Sequence, residues 1–235
     1  MSSTNYLIIK QLRNYQLSTI NYQLLIYSFQ KKYKTPFISS VTKNDFLSRI
    51  ITSHGRPKRS LSSLLPYDKL WVTDMGRDQI GADVPEDMFH TIEEGKFYGF
   101  PFYYQFKGKI LADKTFKDSL RPAFITEPPV AFCGFKAHSA PLGFDYFKDF
   151  DDSALKNSFL VALHGSNTVS RERGYAIVKV NGTNSYTDVV TGFLPKGSKE
   201  DKDRLGRPCD VLMRDKKSFF VTDDRDGVLY FFWKE

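Results

Sequence analysis

The sequence LWVTDMGRDQIGADVPEDMFHTIEEGKFYGFP, residues 70–101, decides the predicted fold. Residues 70–73 alternate in the way of a half-buried strand, and residues 74–83 form a polar turn with two glycines. A second apolar segment, residues 88–92, leads into an aromatic and glycine-rich corner at residues 95–101. This order of strand, acidic loop, strand and aromatic corner is how a β-propeller blade leads its chain towards the central channel.

Short strand-like segments recur along the rest of the chain, with turn residues between them. Two of them echo one another: WVTDMGRD (71–78) and FVTDDRDG (220–227) both place Thr-Asp and an Arg/Asp/Gly turn after an apolar strand. Such an internal repeat is the sequence signature of blades. The predicted strands are WVTD (71–74), FLVALHG (159–165), YAIVKV (175–180), DVVTGFL (188–194), DVLM (210–213), FFVTDD (219–224) and VLYFFW (228–233). Residues 96–138, long and proline-containing, are predicted to be a loop excursion over one face.

Charge divides the chain in two. The first 60 residues carry ten Lys or Arg against one Asp, which is +9, whereas the other 175 carry 24 Lys or Arg against 26 Asp or Glu, which is −2. We therefore predict a basic, irregular or partly helical leader over residues 1–65, with the boundary near Leu64, and a β-domain from residue 66. The basic cluster at residues 56–59 admits nucleic-acid or anionic-lipid binding. A solvated linker is the favoured reading, because no aromatic residues accompany the cluster, and no nucleic-acid partner is predicted.

The two cysteines and the apolar segments limit the class of protein further. Cys133 and Cys209 have no metal-binding spacing, and we expect two buried free thiols, although a disulfide is not excluded by the sequence. The best apolar run, residues 20–29, is interrupted by polar side chains, so neither a membrane span nor a clear signal peptide is predicted.

Four motifs, in order between residues 70 and 231, resemble the glucose/sorbosone dehydrogenase family. The segment quoted first resembles the family's LWVTENGRD…GGxYGWP, and HSAPLG (138–143) resembles its HxAPLG. FLVALHGS (159–166) resembles LFVALHGSW, with Asn167 in place of the tryptophan. GRPCDV (206–211) with FVTDDRDGVLY (220–230) resembles the closing blade. The resemblance implies a six-bladed β-propeller that oxidises a sugar with pyrroloquinoline quinone (PQQ) and calcium, in a periplasmic or secreted setting.

The same resemblance implies a calcium site at the backbone carbonyls of Gly76 and Arg77. Calcium prefers oxygen ligands, and a tight glycine turn can direct carbonyls inward. Asp74, Asp78 and Asp83 add acidic oxygens nearby. A plain turn between strands explains these residues equally well.

The resemblance assigns cofactor contacts to Arg207, His164 and His138. Arg207 corresponds to an arginine that pairs with a cofactor carboxylate, for which a planar guanidinium is suited. His164 ends a predicted strand at a cationic cofactor contact, and His138 opens the HSAPLG motif. The alternatives are an arginine that caps a blade edge and two structural histidines. His90 is assigned to packing.

No catalytic residue is assigned. The resembled enzymes take the hydroxyl proton with a histidine on an early blade, whereas the sequence before residue 70 contains only His54, in the basic linker. Six blades of about 40–50 residues need roughly 240–300 residues, so the matched segment supplies about three blades.

These observations predict a truncated family member with weak or no activity of its own, or one whose ring is completed by another chain. Two alternatives remain: a calcium-dependent lactonase-type propeller, and a non-catalytic binding module that recruits a partner at an open propeller edge.

Overall fold

Strands dominate the structure wherever the chain is described. The computed structural model describes residues 61–62, 69–93, 95–116, 122–123, 125–168 and 171–234, and there the only helical residues are Arg171 and the 3-10 turn at Asp201–Asp203. No helix in these ranges is long and apolar enough to cross a membrane. The strands are β1 (Leu61–Ser62), β2 (Leu70–Asp74), β3 (Asp87–Ile92), β4 (Tyr103–Phe106), β5 (Lys109–Ala112), β6 (Cys133–Phe135), β7 (Pro141–Tyr146), β8 (Phe159–Leu163), β9 (Ala176–Gly182), β10 (Ser185–Val190), β11 (Pro208–Asp215), β12 (Ser218–Asp223) and β13 (Val228–Trp233).

Three antiparallel sheets form the blades. Blade I contains β1, β2, β3 and β6, blade II contains β7, β8, β9 and β10, and blade III contains β11, β12 and β13, each hydrogen-bonded in that order. The two halves of the sequence repeat occupy the same position, because β2 and β12 are both second strands. The prediction of an internal repeat of blades is therefore confirmed.

Burial on both faces explains why β8, the second strand of blade II, has an unbroken apolar sequence. All five residues of β8 are buried. Successive side chains point to opposite faces of a strand: Leu160 and Ala162 belong to the apolar cluster shared with blade III, and Val161 to the cluster shared with blade I. Blade II is therefore covered on both faces by its neighbours.

The inner strands of blades II and III lie close together. A Cβ on Gly143 of β7 would lie 2.8 Å from the Asp210 Cα of β11, so only glycine fits there. The Met213 N–H of β11 donates to Asp145 Oδ2 of β7 at 2.8 Å. The neighbouring blades are thus joined by polar as well as apolar contacts.

The excursion between β3 and β7 is more regular than the sequence predicts. It contains the β4–β5 hairpin, and its last part, β6, is the outermost strand of blade I. The fully buried side chain of Gln105 in β4 ties the hairpin to the blade, because it accepts the Ala131 N–H at 2.7 Å and donates to Glu86 at 2.9 Å. A three-residue strand such as β6 is too short to show alternation in a sequence.

Other predictions have mixed outcomes. Residues 188–194 overlap only the end of β10. Both cysteines are free thiols, Cys133 buried and Cys209 half-buried. The leader and its boundary near Leu64 lie almost wholly outside the described residues. The exception is Leu61–Ser62, which forms β1 and pairs with β2.

Candidate functional site

All five residues predicted to bind a cofactor or metal lie in loops at one end of the blades, called here the site end. These loops join the ends of second strands to third strands, and the outermost strands to the next inner strands. The site end comprises residues 75–86, 136–140, 164–168 with 171–175, 191–207 and 224–227.

Gly76 is fixed by packing and by a hydrogen bond. A Cβ at this position would lie 2.4 Å from the Pro85 Cγ, so a side chain does not fit. The Gly76 N–H donates to Asp87 Oδ1 at 2.7 Å. This contact is a structural reason for glycine here, independent of any metal.

Arg77 turns its side chain towards the excursion. Its Nη2 donates to Asp113 Oδ2 at 2.6 Å and to Thr115 Oγ1 at 2.9 Å, and the guanidinium lies 5.4 Å from the Phe116 ring centre. The Arg77 carbonyl accepts the Ile80 N–H at 3.4 Å, which leaves one lone pair of this oxygen for another donor or cation.

Asp87 is the buried centre of this part of the site end. The residue is 2% exposed, and its carboxylate accepts two backbone N–H groups, from Gly76 and, at 2.8 Å, from Ala140. Burial raises the pKa of Asp87 to about 7, and the two N–H donors only partly offset that rise. Asp87 lies within the motif quoted first, but the sequence does not reveal its bond to Ala140, 53 positions away.

His138 holds the Asp-rich loop in place. Its Nε2 donates to the Gly81 carbonyl at 2.8 Å and its Nδ1 lies 3.1 Å from Asp78 Oδ1, while the residue is 8% exposed. Both ring nitrogens are thus engaged by protein groups. His90, assigned to packing, is buried with its ring edge-on to Tyr98.

His164 and Arg207 lie side by side. Arg207 Nε donates to the His164 carbonyl at 3.4 Å, and its Nη2 donates to the Gly165 carbonyl at 2.8 Å. The His164 Nε2 bonds Asp224 Oδ1 at 2.8 Å, and this bond lowers the pKa of Asp224. The sequence analysis missed Asp224, although it lies in the second copy of the repeat.

A buried arginine supports the loop that carries His164. Arg204, 7% exposed, donates to the Tyr175 hydroxyl at 3.0 Å and to the carbonyls of Ser166 and Asn167 at 3.1 and 2.8 Å. The sequence analysis missed this residue too. Its position two residues before the GRP motif is the only hint in the sequence.

One line of hydrogen bonds joins the predicted residues across the blades. Gly76 and Ala140 share the carboxylate of Asp87, the His164 N–H donates to the Ala140 carbonyl at 2.9 Å, and Arg207 donates to the His164 carbonyl. His138 lies two residues before Ala140. Four motifs spread over more than 130 residues therefore meet at one end of the fold.

Arg207 fits an anionic ligand. Its guanidinium is half-buried, and no carboxylate of the described ranges lies within ion-pair distance of it. Burial lowers the pKa of Arg207, which reflects a charge that the protein solvates incompletely. Its Nη1 has no hydrogen bond to any described group and is open to a carboxylate.

The groups available to bind a metal at the turn of Gly76 and Arg77 are mainly backbone carbonyls. Among the described residues, no group of three or more His, Cys, Asp or Glu side chains is placed to hold an ion. A cation at the turn of Gly76 and Arg77 would therefore rest on backbone carbonyls, with single aspartates beside them. This donor set is chemically suited to calcium.

The chain was compared with known protein families, sequences and solved structures. No family model matches the chain. An uncharacterised protein of Borreliella burgdorferi is 29% identical over 174 residues, covering 69% of this chain and 43% of that protein. The iodide structure of a Trichoderma reesei protein of carbohydrate-active enzymes family AA12 matches with a TM-score of 0.55 and 16% identity, over 75% of this chain and 52% of that one.

The calcium structure of Trichoderma reesei AA12 gives a TM-score of 0.52 and 16% identity, over 72% of this chain and 49% of that one. The chain shares the AA12 fold. The predicted all-β, partial propeller is thus confirmed. The chain spans about half the length of the proteins it matches.

Proposed function

We propose that the chain is part of a propeller that oxidises a sugar, or a sugar-like alcohol or aldehyde, with transfer of the hydride to a bound quinone such as PQQ. The motifs resemble quinoprotein sugar dehydrogenases, and the fold is shared with a family named for carbohydrate-active enzymes. The observation that carries the proposal is the half-buried Arg207, which lies beside His164 and has no carboxylate of the described residues within ion-pair distance.

In this proposal Arg207 binds a cofactor carboxylate through Nη1. The bonds from Nε and Nη2 to the carbonyls of His164 and Gly165 fix the plane of the guanidinium before the ligand arrives. His164, oriented by Asp224, lies next to that cation. The carbonyls of Gly76 and Arg77 would hold calcium, and a bound quinone would supply the hydride acceptor.

The group that takes the hydroxyl proton is unassigned. His138 is engaged by Asp78 and Gly81, and His164 by Asp224, so each already has a structural partner. We propose that the proton acceptor comes from a part of the propeller outside the described residues.

A titration tests the cofactor site without requiring turnover. PQQ is added to the purified chain with and without calcium chloride, and binding is followed by absorbance. We expect saturable binding that Arg207→Ala weakens at least about tenfold, because a hydrogen bond to a charged group contributes about 1.5–3 kcal/mol. Arg214→Ala is the matched control, since Arg214 is exposed and lies near the opposite end of blade III.

Two results would contradict the proposal. One is the absence of saturable PQQ binding to the wild-type chain at any calcium concentration. The other is equal weakening by Arg207→Ala and Arg214→Ala while both variants keep the wild-type melting temperature.

A non-catalytic binding module is the second candidate function. Within the described ranges, β13 is paired only with β12, whereas blades I and II have four strands each. A strand edge of this kind can pair with another chain. Size-exclusion chromatography with light scattering tests it: a stable monomer that captures no partner strand would count against this candidate.

A further inference from the structure

A cavity of about 510 Å³ opens at the site end of blade II, and Arg207 is not among its lining residues. The loop before β7 forms one wall with Lys136 and Ser139, and strand β10 forms another with Tyr186 and Asp188. Residues after β10, including Thr191 and Lys196, complete the lining. Small-molecule sites commonly occupy about 300–1,000 Å³, so this cavity has the size of a ligand site.

Backbone contacts make the floor of the cavity rigid. A Cβ on Gly174 would lie 2.5 Å from the Ser139 carbonyl oxygen and 2.6 Å from the Gly165 Cα, so three chain segments touch there without side chains between them. A Cβ on Gly192, another lining residue, would meet nothing within 4 Å. The cavity therefore has a preformed floor and an open mouth, which lowers the cost of ordering on binding.

The charges around the cavity balance. Arg173 is paired with Asp83. That leaves two lysines, Lys136 and Lys196, and two carboxylates, Glu172 and Asp188, in the lining. The two lysines make no ion pair with the residues that the structure describes. A strongly anionic or cationic ligand would meet like charge as well as opposite charge here, whereas an uncharged ligand with many hydroxyl groups would find both donors and acceptors.

An aromatic side chain adds an apolar surface. The half-buried Tyr186 lines the cavity, and its ring packs edge-on to Phe135 at 5.1 Å, which fixes its orientation. An aromatic ring beside mixed hydrogen-bonding groups can cover the C–H face of a sugar ring while polar groups bind its hydroxyls.

We propose that this cavity binds a neutral carbohydrate. Asp188 and Glu172 accept hydrogen bonds from sugar hydroxyls, Lys136 and Lys196 donate to them, and the ring of Tyr186 packs against the sugar. Neither Arg207 nor His164 belongs to the lining, so carbohydrate binding requires neither the quinone nor the proposed oxidation.

Isothermal titration with D-glucose and cellobiose tests the proposal on the full chain. We expect saturable binding of at least one of them with a Kd of about 1 mM or tighter, and weaker binding of glucuronate and inorganic phosphate. Thr191→Trp places a large ring at the mouth and should abolish binding. Thr187→Trp is the matched control, because Thr187 is exposed in β10, four residues before Thr191, and does not line the cavity.

Removal of one acceptor gives a graded effect. Asp188→Ala should weaken sugar binding at least about fivefold, the equivalent of one lost hydrogen bond. Asp226→Ala, at an exposed turn of blade III, should leave it unchanged. Sugar binding is measured without PQQ or calcium, which separates this site from the proposed cofactor site.

Three results would overturn the proposal: no sugar binding by the wild-type chain, tighter binding of phosphate than of either sugar, or undiminished sugar binding by Thr191→Trp. Failure of PQQ binding with retained sugar binding would count against the proposed oxidation alone.

Discussion

Blades I and III carry the same second-strand sequence, Val-Thr-Asp, yet they use it differently. In blade III the aspartate of the repeat, Asp223, is itself the buried acceptor. It accepts the N–H of Arg225, two residues later, at 3.0 Å, and the N–H of Arg207 at 2.9 Å, just before the proline that begins β11. A Cβ on Gly206 would lie 2.2 Å from its Oδ2, so glycine is needed for this approach.

Blade I has the same pair of donors but another acceptor. Gly76 lies two residues after Asp74, the aspartate of the repeat, and Ala140 just before the proline that begins β7. Both donate to Asp87, which comes from the third strand. Asp223 therefore closes a turn within its own blade, whereas Asp87 joins blade I to the first strand of blade II. The same Val-Thr-Asp sequence is thus followed by a turn that bonds within its own blade in blade III, and by one whose acceptor also bonds blade II in blade I.

Removal of the two carboxylates should give the largest effects. Asp87→Ala and Asp223→Ala each leave at least two N–H groups without their acceptor, so each should lower the free energy of unfolding by about 2–4 kcal/mol in urea denaturation. Asp87→Ala should also speed hydrogen exchange at the amides of His164 and Gly165, because these amides donate to the carbonyls of Ala140 and Ser139. Asp226→Ala, exposed in the same turn region as Asp223, should change stability by less than about 0.5 kcal/mol.

The comparison would fail if Asp223→Ala accelerated exchange at His164 and Gly165 as much as Asp87→Ala did. That result would mean that both carboxylates act between blades.

The pH dependence of stability should come next in size. Because the pKa of Asp87 is raised to about 7 in the folded chain, the folded state binds more protons than the unfolded state between about pH 4 and pH 7. The contribution of Asp87 to stability is therefore complete below about pH 4 and is lost as the pH rises towards 7. Urea denaturation from pH 4 to 8, with a chelator present so that no cation shifts the titration, measures it.

Asp87→Asn is the matched variant for this prediction. It should flatten the pH dependence in that window, because the amide does not titrate, while it keeps one acceptor oxygen. An unchanged slope in Asp87→Asn would show that other groups cause the pH dependence.

The threonines of the repeat should give the smallest effects. The hydroxyl of Thr73, fully buried, donates to the Leu142 carbonyl of blade II at 2.7 Å, whereas that of Thr222 lies 3.1 Å from Cys209 Sγ within blade III. Thr73→Val should cost about 1 kcal/mol, and Thr222→Val less, because sulfur is a weak hydrogen-bonding partner. Thermal melts of the two variants compare them directly, and a larger loss for Thr222→Val would contradict the assignment.

Local sequence patterns predicted the strands well where apolar residues recur over several positions. Strands β2, β8, β9, β12 and β13 lie within or close to their predicted segments. The pattern did not predict β6 or the β4–β5 hairpin, because these strands are three or four residues long and are stabilised by contacts between distant residues, such as the hydrogen bond from Ala131 to Gln105.

The motifs also named site residues that do meet in space. Arg207 and His164 are neighbours, and Gly76 reaches them through Asp87 and Ala140. The roles of these residues as cofactor or metal ligands stay predictions. The residues that support the site, Arg204 above all, were missed because their partners lie in other motifs.

The amino-acid sequence alone determined that this is an all-β chain with repeated blades, because alternation and turn residues act over a few neighbouring positions. Only the tertiary structure decided which carboxylate each turn uses, and that the half-buried Arg207 has no carboxylate within ion-pair distance among the described residues. The physical reason is distance along the chain: Asp87 and Ala140 are 53 residues apart, and their bond exists only once blade I packs against blade II.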